Sequence, residues 1–238
     1  MERNITAQNV IEALEAYANP RRAISLLQFF KTGKGQYGEG DQFMGAMVPE
    51  QRLVSRQFRD LPHKEVVTLL MSHIHEHRLT ALMILCLQYD KAKSLDQKKA
   101  IITLYLEHTS QINNWDLVDC SAAIVGKWDS ETGDTKLRRL SQSKMLWEQR
   151  ISIVGTWPMI KVGKLALTLE ISERLLSHPH DLIHKAVGWM LREVGKKDEK
   201  VLVCFLDSFA AVMPRTMLRY SIERFPEEKR QYYLKLKK

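Results

Sequence analysis

The chain has 238 residues, 45% of them hydrophobic, enough to bury a substantial core without disulfide or metal staples. Its 36 Lys and Arg against 28 Asp and Glu leave a net charge of +8, which favours a polyanionic partner; Lys185 to Lys238 alone carries 13 basic and 7 acidic residues. The longest apolar run, Ala81 to Leu87, is too short to span a bilayer, and acidic residues inside "MERNITAQNVIEALEAY" argue against a secretory signal. Three scattered cysteines, Cys86, Cys120 and Cys204, lack metal-ligand spacing and suit reduced thiols in a cytoplasmic protein.

Apolar residues recur with a 3.6-residue period along nearly the whole chain. This predicts helices over about 6–18, 21–31, 49–60, 63–73, 76–91, 95–111, 114–128, 134–141, 144–157, 164–177, 181–195, 199–212 and 214–224. Period-two alternation bounded by hairpin turns is absent. The second helix has a cap at Asn19 with Pro20 at its first position. It leads into "TGKGQYGEGDQF", Thr32 to Phe43, whose Gly33-x-Gly35-x-x-Gly38 spacing is that of phosphate-binding loops. No strand precedes those glycines and no Lys-Ser or Lys-Thr pair follows them, so the segment reads as a flexible loop between helices.

Two histidine groups invite a metal hypothesis. In "SHIHEHR", Ser72 to Arg78, His73 and His77 share a helix face, His75 points away, and Glu76 does not complete an H-E-x-x-H pattern. His180 and His184 are four residues apart without a nearby Cys or carboxylate partner. Both groups read as solvated or partly buried helix starts, and no metal site is expected.

The segment "INNWDLVDCSAAIVGKW", Ile112 to Trp128, places Trp115 and Asp119 one turn apart on one helix face, behind a cap at Asn113 or Asn114. Periodicity alone favours a core tryptophan beside an exposed or capping aspartate. "AIVGKW", Ala123 to Trp128, is echoed as "SIVGTW", Ser152 to Trp157, and as "AVGW", Ala186 to Trp189. Such spacing suits a helix-pair repeat whose small residues admit close helix approach, and hence an all-α solenoid with a concave basic face; a non-repetitive bundle is the alternative. Arg150 and Trp189 lie beside copies of the echo, so two aromatic faces, one carboxylate and one guanidinium are expected to converge on one surface.

The segments "FMGAMVPEQR" (Phe43 to Arg52), "WDLVD" (Trp115 to Asp119), "WEQRISIV" (Trp147 to Val154), "KAVGWMLRE" (Lys185 to Glu193) and "PRTMLRYSIERF" (Pro214 to Phe225) together resemble the AlkD-type DNA alkylation repair enzymes, HEAT-like repeat DNA glycosylases. The resemblance implies a single domain of antiparallel helix pairs over 1–238. It also implies excision of cationic N3- or N7-alkylated purines from duplex DNA, without metal or cofactor. By position, Trp115, Asp119 and Trp189 match the family's lesion-site residues, and Arg150 and Arg192 its DNA-backbone contacts. Lys185, Arg215 and Arg219 are further backbone candidates on the basic last quarter. Tyr37 or Phe30 occupies the space of a family tyrosine. The expected partner is alkylated duplex DNA, with no membrane, bound by a monomer. The rival functions are a non-catalytic module that binds unusual DNA structures and a protein-interaction scaffold.

Overall fold

The computed structural model describes residues 5–236. It is all-α, with no β-strand among the described residues. Cα packing divides it into two compact units between Ser121 and Ala122.

The first unit holds α1 (Ala7–Glu15), α2 (Pro20–Phe29), α3 (Val48–Gln57), α4 (His63–Leu70), α5 (His75–Lys91), α6 (Leu95–Glu107), a short 3-10 turn and α7 (Trp115–Ser121). Its centre is α5, against which α3, α4, α6 and α7 all pack. Residues 75–85 of α5 are buried without a break, so the helix is surrounded for three turns. Each of Leu79, Leu82, Ile84 and Leu85 contributes about 1.5–3 kcal/mol by leaving water. The cap predicted for α2 is present: Asn19 accepts the Arg22 N–H at 3.0 Å and Pro20 opens the helix. No residue of α2 is fully buried, and Ile24 and Phe29 are exposed.

The second unit holds α8 (Ala123–Thr132), α9 (Lys136–Leu140), α10 (Leu146–Val154), α11 (Trp157–Lys161), α12 (Ala166–Arg174), α13 (Asp181–Lys197), α14 (Glu199–Phe209), α15 (Arg215–Ser221) and α16 (Glu227–Lys235). Here α13 is central and packs on α10, α11, α12, α14 and α15. Its buried residues, Ile183, Ala186, Val187, Gly188, Met190, Leu191 and Val194, form a stripe on one side. In both units helices pack mainly on helices near them in sequence, the pattern of a helical repeat.

The sequence echo marks close helix approach. A Cβ on Gly126 would lie 1.8 Å from the Gly155 carbonyl oxygen, and one on Gly188 would lie 2.6 Å from that of Met217. Three expectations are revised. The helix predicted over 114–128 is two, interrupted at Ala122. Trp157, expected to end a helix, begins α11, where Pro158 fits a first-turn position. Helix α16 was not predicted, because only Tyr233 of its nine residues is buried and no apolar stripe betrays it.

Candidate functional site

Helix α7 is short, and its direction is set by its first turn. Asn114, itself fully buried, accepts the Trp115 N–H at 2.8 Å; the Asp116 carboxylate accepts the Leu117 N–H at 2.8 Å and complements the helix N-terminus. Leu117, Val118 and Ser121 are buried in the unit's core, which leaves Trp115 and Asp119 half-buried. The Trp115 ring stacks on Phe30 at 5.3 Å and meets Phe29 edge-on at 5.9 Å. These rings, with Phe43, His75 and Asp116, line an apolar pocket of about 260 Å³. Asp119 lines a cleft of about 360 Å³ with Arg52, Arg56, Cys86, Asp90 and Cys120. Burial and the neighbouring Asp116 push the Cys120 thiol up to about 12, so this cysteine is no nucleophile at neutral pH. Arg52 and Arg56 are exposed and form no ion pair among the described residues, which leaves two guanidinium groups open beside the Asp119 carboxylate.

Behind the pocket lies a charge network that sequence reasoning missed. The end of the glycine-rich loop is pinned to the start of α5: Gln42 N donates to the His73 carbonyl at 3.2 Å, and His75 N to that of Gln42 at 2.8 Å. Asp41, 5% exposed, is bonded to His75 Nδ1 at 3.0 Å, Arg78 Nη2 at 2.6 Å and Asn114 Nδ2 at 3.2 Å. His75 Nε2 reaches Asp116 at 2.8 Å. Burial alone would favour neutral His75, but its bonds to Asp116 and Asp41 and their charges prevail and raise its pKa above 6.5. Burial likewise opposes ionisation of Asp41, and His75 and Arg78 outweigh it, holding that carboxyl below 3.8. Glu76 accepts the Met44 and Gly45 N–H groups, while burial raises its pKa.

Two readings are corrected here. The loop expected to be flexible ends in a buried anchor, and the histidine run expected to be solvated or partly buried is interior from His75 on, with His75, Glu76, His77 and Arg78 each at most 6% exposed, while His73 is exposed as expected. A polar tetrad followed within two residues by the apolar run Ala81 to Leu87 was the available signal. Of the two residues weighed for the tyrosine position, Phe30 stacks on Trp115, whereas Tyr37 is half-buried among the turns of the loop.

In the second unit Trp189 is half-buried on α13. Arg150 is 5% exposed and donates from Nη1 to the Leu182 carbonyl, so its guanidinium fastens α10 to the first turn of α13 instead of standing free on the surface. Arg192 is ion-paired with Glu223 and Glu193, and Lys185 with Asp181 at 2.8 Å. Arg215 donates to the Leu234 carbonyl at 2.6 Å; Arg219 is exposed without an ion-pair partner among the described residues. His180 caps α13 by accepting the Leu182 N–H at 3.1 Å, and His184 Nε2 donates to the His178 carbonyl. Burial first, and then neighbouring histidines, lower the pKa of His178; burial, His184 and Arg150 lower that of His180.

No helix among the described residues is long and apolar enough to cross a membrane. A comparison with curated proteins finds no match. Among solved structures, the fold is similar to that of a predicted DNA alkylation repair enzyme from Enterococcus faecalis, with a TM-score of 0.69 and 17% identity over 88% of this chain and 97% of that one. The family profile described as DNA alkylation repair enzyme matches residues 10–225. The chain therefore belongs to the DNA alkylation repair enzyme family.

Proposed function

We propose that this protein is a monofunctional DNA glycosylase that hydrolyses the N-glycosidic bond of cationic N3- and N7-alkylated purines, such as 3-methyladenine and 7-methylguanine, in duplex DNA. The observation that carries the reading is Asp119, half-buried in an open cleft beside Arg52 and Arg56, which are exposed and without an ion pair among the described residues, in a chain of a DNA alkylation repair family. An alkylated purine already bears positive charge, so it leaves as a neutral base with little help from an acid. The demand falls on the sugar, where an oxocarbenium-like cation develops at C1′. A carboxylate in a partly dry cleft stabilises that cation and orients the attacking water. Asp119 takes this role. Trp115 supplies a cation–π contact to the lesion, worth about 0.5–2 kcal/mol, and Trp189, on the second unit, is a further aromatic candidate.

Binding to duplex DNA is proposed to be sequence-independent and salt-sensitive, through exposed guanidinium and ammonium groups. Arg52, Arg56, Arg215 and Arg219 are the accessible candidates; Lys185 and Arg192 must first exchange a carboxylate partner for phosphate, and buried Arg150 acts by holding the start of α13. The test is release of free base from methylated duplex DNA under single-turnover conditions. Asp119→Asn keeps the shape and removes the charge, so excision should fall about 100-fold or more with DNA affinity little changed. Neutral uracil, hypoxanthine and 1,N6-ethenoadenine should be poor substrates. Full activity of Asp119→Asn, or efficient excision of uracil, would refute the mechanism.

A further inference from the structure

We propose that His75 is a positioning residue for this reaction, whose imidazolium ties the end of the glycine-rich loop to helix α7 and thereby sets where Trp115 and Asp119 stand. The inference rests on the glycosylase reading, but its geometry does not. His75 is 1% exposed and cannot touch DNA, so whatever it does is done through its neighbours. Both ring nitrogens meet carboxylates, Nδ1 that of Asp41 at 3.0 Å and Nε2 that of Asp116 at 2.8 Å. A carboxylate only accepts, so both bonds form together only when both nitrogens carry protons. Each carboxylate is in turn held: Asp41 by Arg78 and Asn114, Asp116 by the Leu117 N–H.

Two routes run from His75 to Trp115. One is the hydrogen-bonded path through Asp116 to the first turn of α7, doubled by Asp41 to Asn114 to the Trp115 N–H. The other is aromatic: the imidazole lies 5.0 Å from Phe30 and 4.7 Å from Phe43, and Phe30 stacks on Trp115. The charged groups facing His75 are Asp41 from the loop, Asp116 from α7, and Glu76 and Arg78 from its own helix. Arg78 is committed to Asp41 and to the Ser72 carbonyl, and Glu76 to the N–H groups of Met44 and Gly45, so neither replaces the lost link when His75 gives up a proton. Neutral imidazole donates once, and one carboxylate then faces a lone pair. The link through His75 is lost at that step, and the bonds of Asp41 to Asn113 and Asn114 are left to join the loop to the start of α7.

The experiment uses the full chain and two variants. In the wild type, the Trp115 indole resonance, followed by NMR, should shift with the same midpoint as the His75 ring, and single-turnover release of 7-methylguanine from a duplex should fall as pH rises through that midpoint. His75→Gln, shown to be folded by its melting curve, should excise about 10-fold more slowly at neutral pH, with a flat profile over the same range and duplex affinity within about 2-fold of wild type. Asp116→Asn is the discriminating variant. Its Oδ1 still accepts the Leu117 N–H, and its amide donates to a neutral Nε2, so the link no longer needs the second proton and the fall with rising pH should disappear. A Trp115 resonance indifferent to His75 ionisation, or an Asp116→Asn profile with the wild-type fall, would overturn the proposal. A Trp115 resonance that tracks His75 in a protein that releases no base would instead sustain the link and sink the glycosylase reading.

Discussion

The two central helices, α5 and α13, are the same length, 17 residues, and each starts at a group of histidines, yet only the α5 group holds a histidine, His75, whose pKa is raised. Helix α5 is enclosed on all sides at its start, so every polar group there must find a protein partner or lose its charge. His75 finds two carboxylates, which raise its pKa against the effect of burial; His77 finds the Ser72 hydroxyl, at 2.9 Å, and burial with the nearby Arg78 depresses it to about 4. Helix α13 is buried on one side only. His180 and His184 bond to backbone groups of their own turn, and the pKa values of His178 and His180 are lowered mainly by burial. Position at a helix start therefore says little about a histidine's charge, and the carboxylates brought to it from elsewhere decide.

The sharpest way to break this contrast is to remove the shared carboxylate. Asp41→Ala leaves Arg78 buried without its ion pair and His75 with one partner, so the first unit should lose about 3–5 kcal/mol of stability, measured by urea unfolding. A loss below about 1 kcal/mol would mean that water or a repacked neighbour replaces the carboxylate. Next in size is acid sensitivity. A histidine whose pKa is lowered by folding contributes stability above pH 6.5, and that contribution is lost as pH falls towards the folded value. For His77 the window is pH 6.5 to about 4, and His77→Gln should flatten the wild-type fall in unfolding free energy there by about 2–3 kcal/mol. His75 has the opposite sign: its contribution is present below pH 6.5 and is lost as pH rises through its raised folded value. The smallest effect belongs to α13. His180→Asn retains a capping acceptor for the Leu182 N–H, so stability at neutral pH should stay within about 0.5 kcal/mol, whereas His180→Ala should cost about 1 kcal/mol. An equal loss in both would show that the ring's packing, not the cap, matters.

Much of this molecule is legible in one dimension. The helical period places nearly every helix of the first unit, Asn19 and Pro20 mark the start of α2, and the Val-Gly echo marks Gly126 and Gly188 as sites where another helix approaches. Those features depend on neighbours within a turn or two, or on a backbone that tolerates no Cβ, and the residue types report them directly. The spacing of Trp115 and Asp119 on one short helix is of the same kind. Tertiary structure alone decided that the start of α5 is interior, because the carboxylates that make its burial tolerable lie 34 and 41 residues away at Asp41 and Asp116. It alone decided that Arg150 is spent on the Leu182 carbonyl while Arg52 and Arg56 remain open beside Asp119. A charged side chain reads the same in a sequence whether it meets water or a buried partner; its surroundings are set by which distant segments the packed core brings against it.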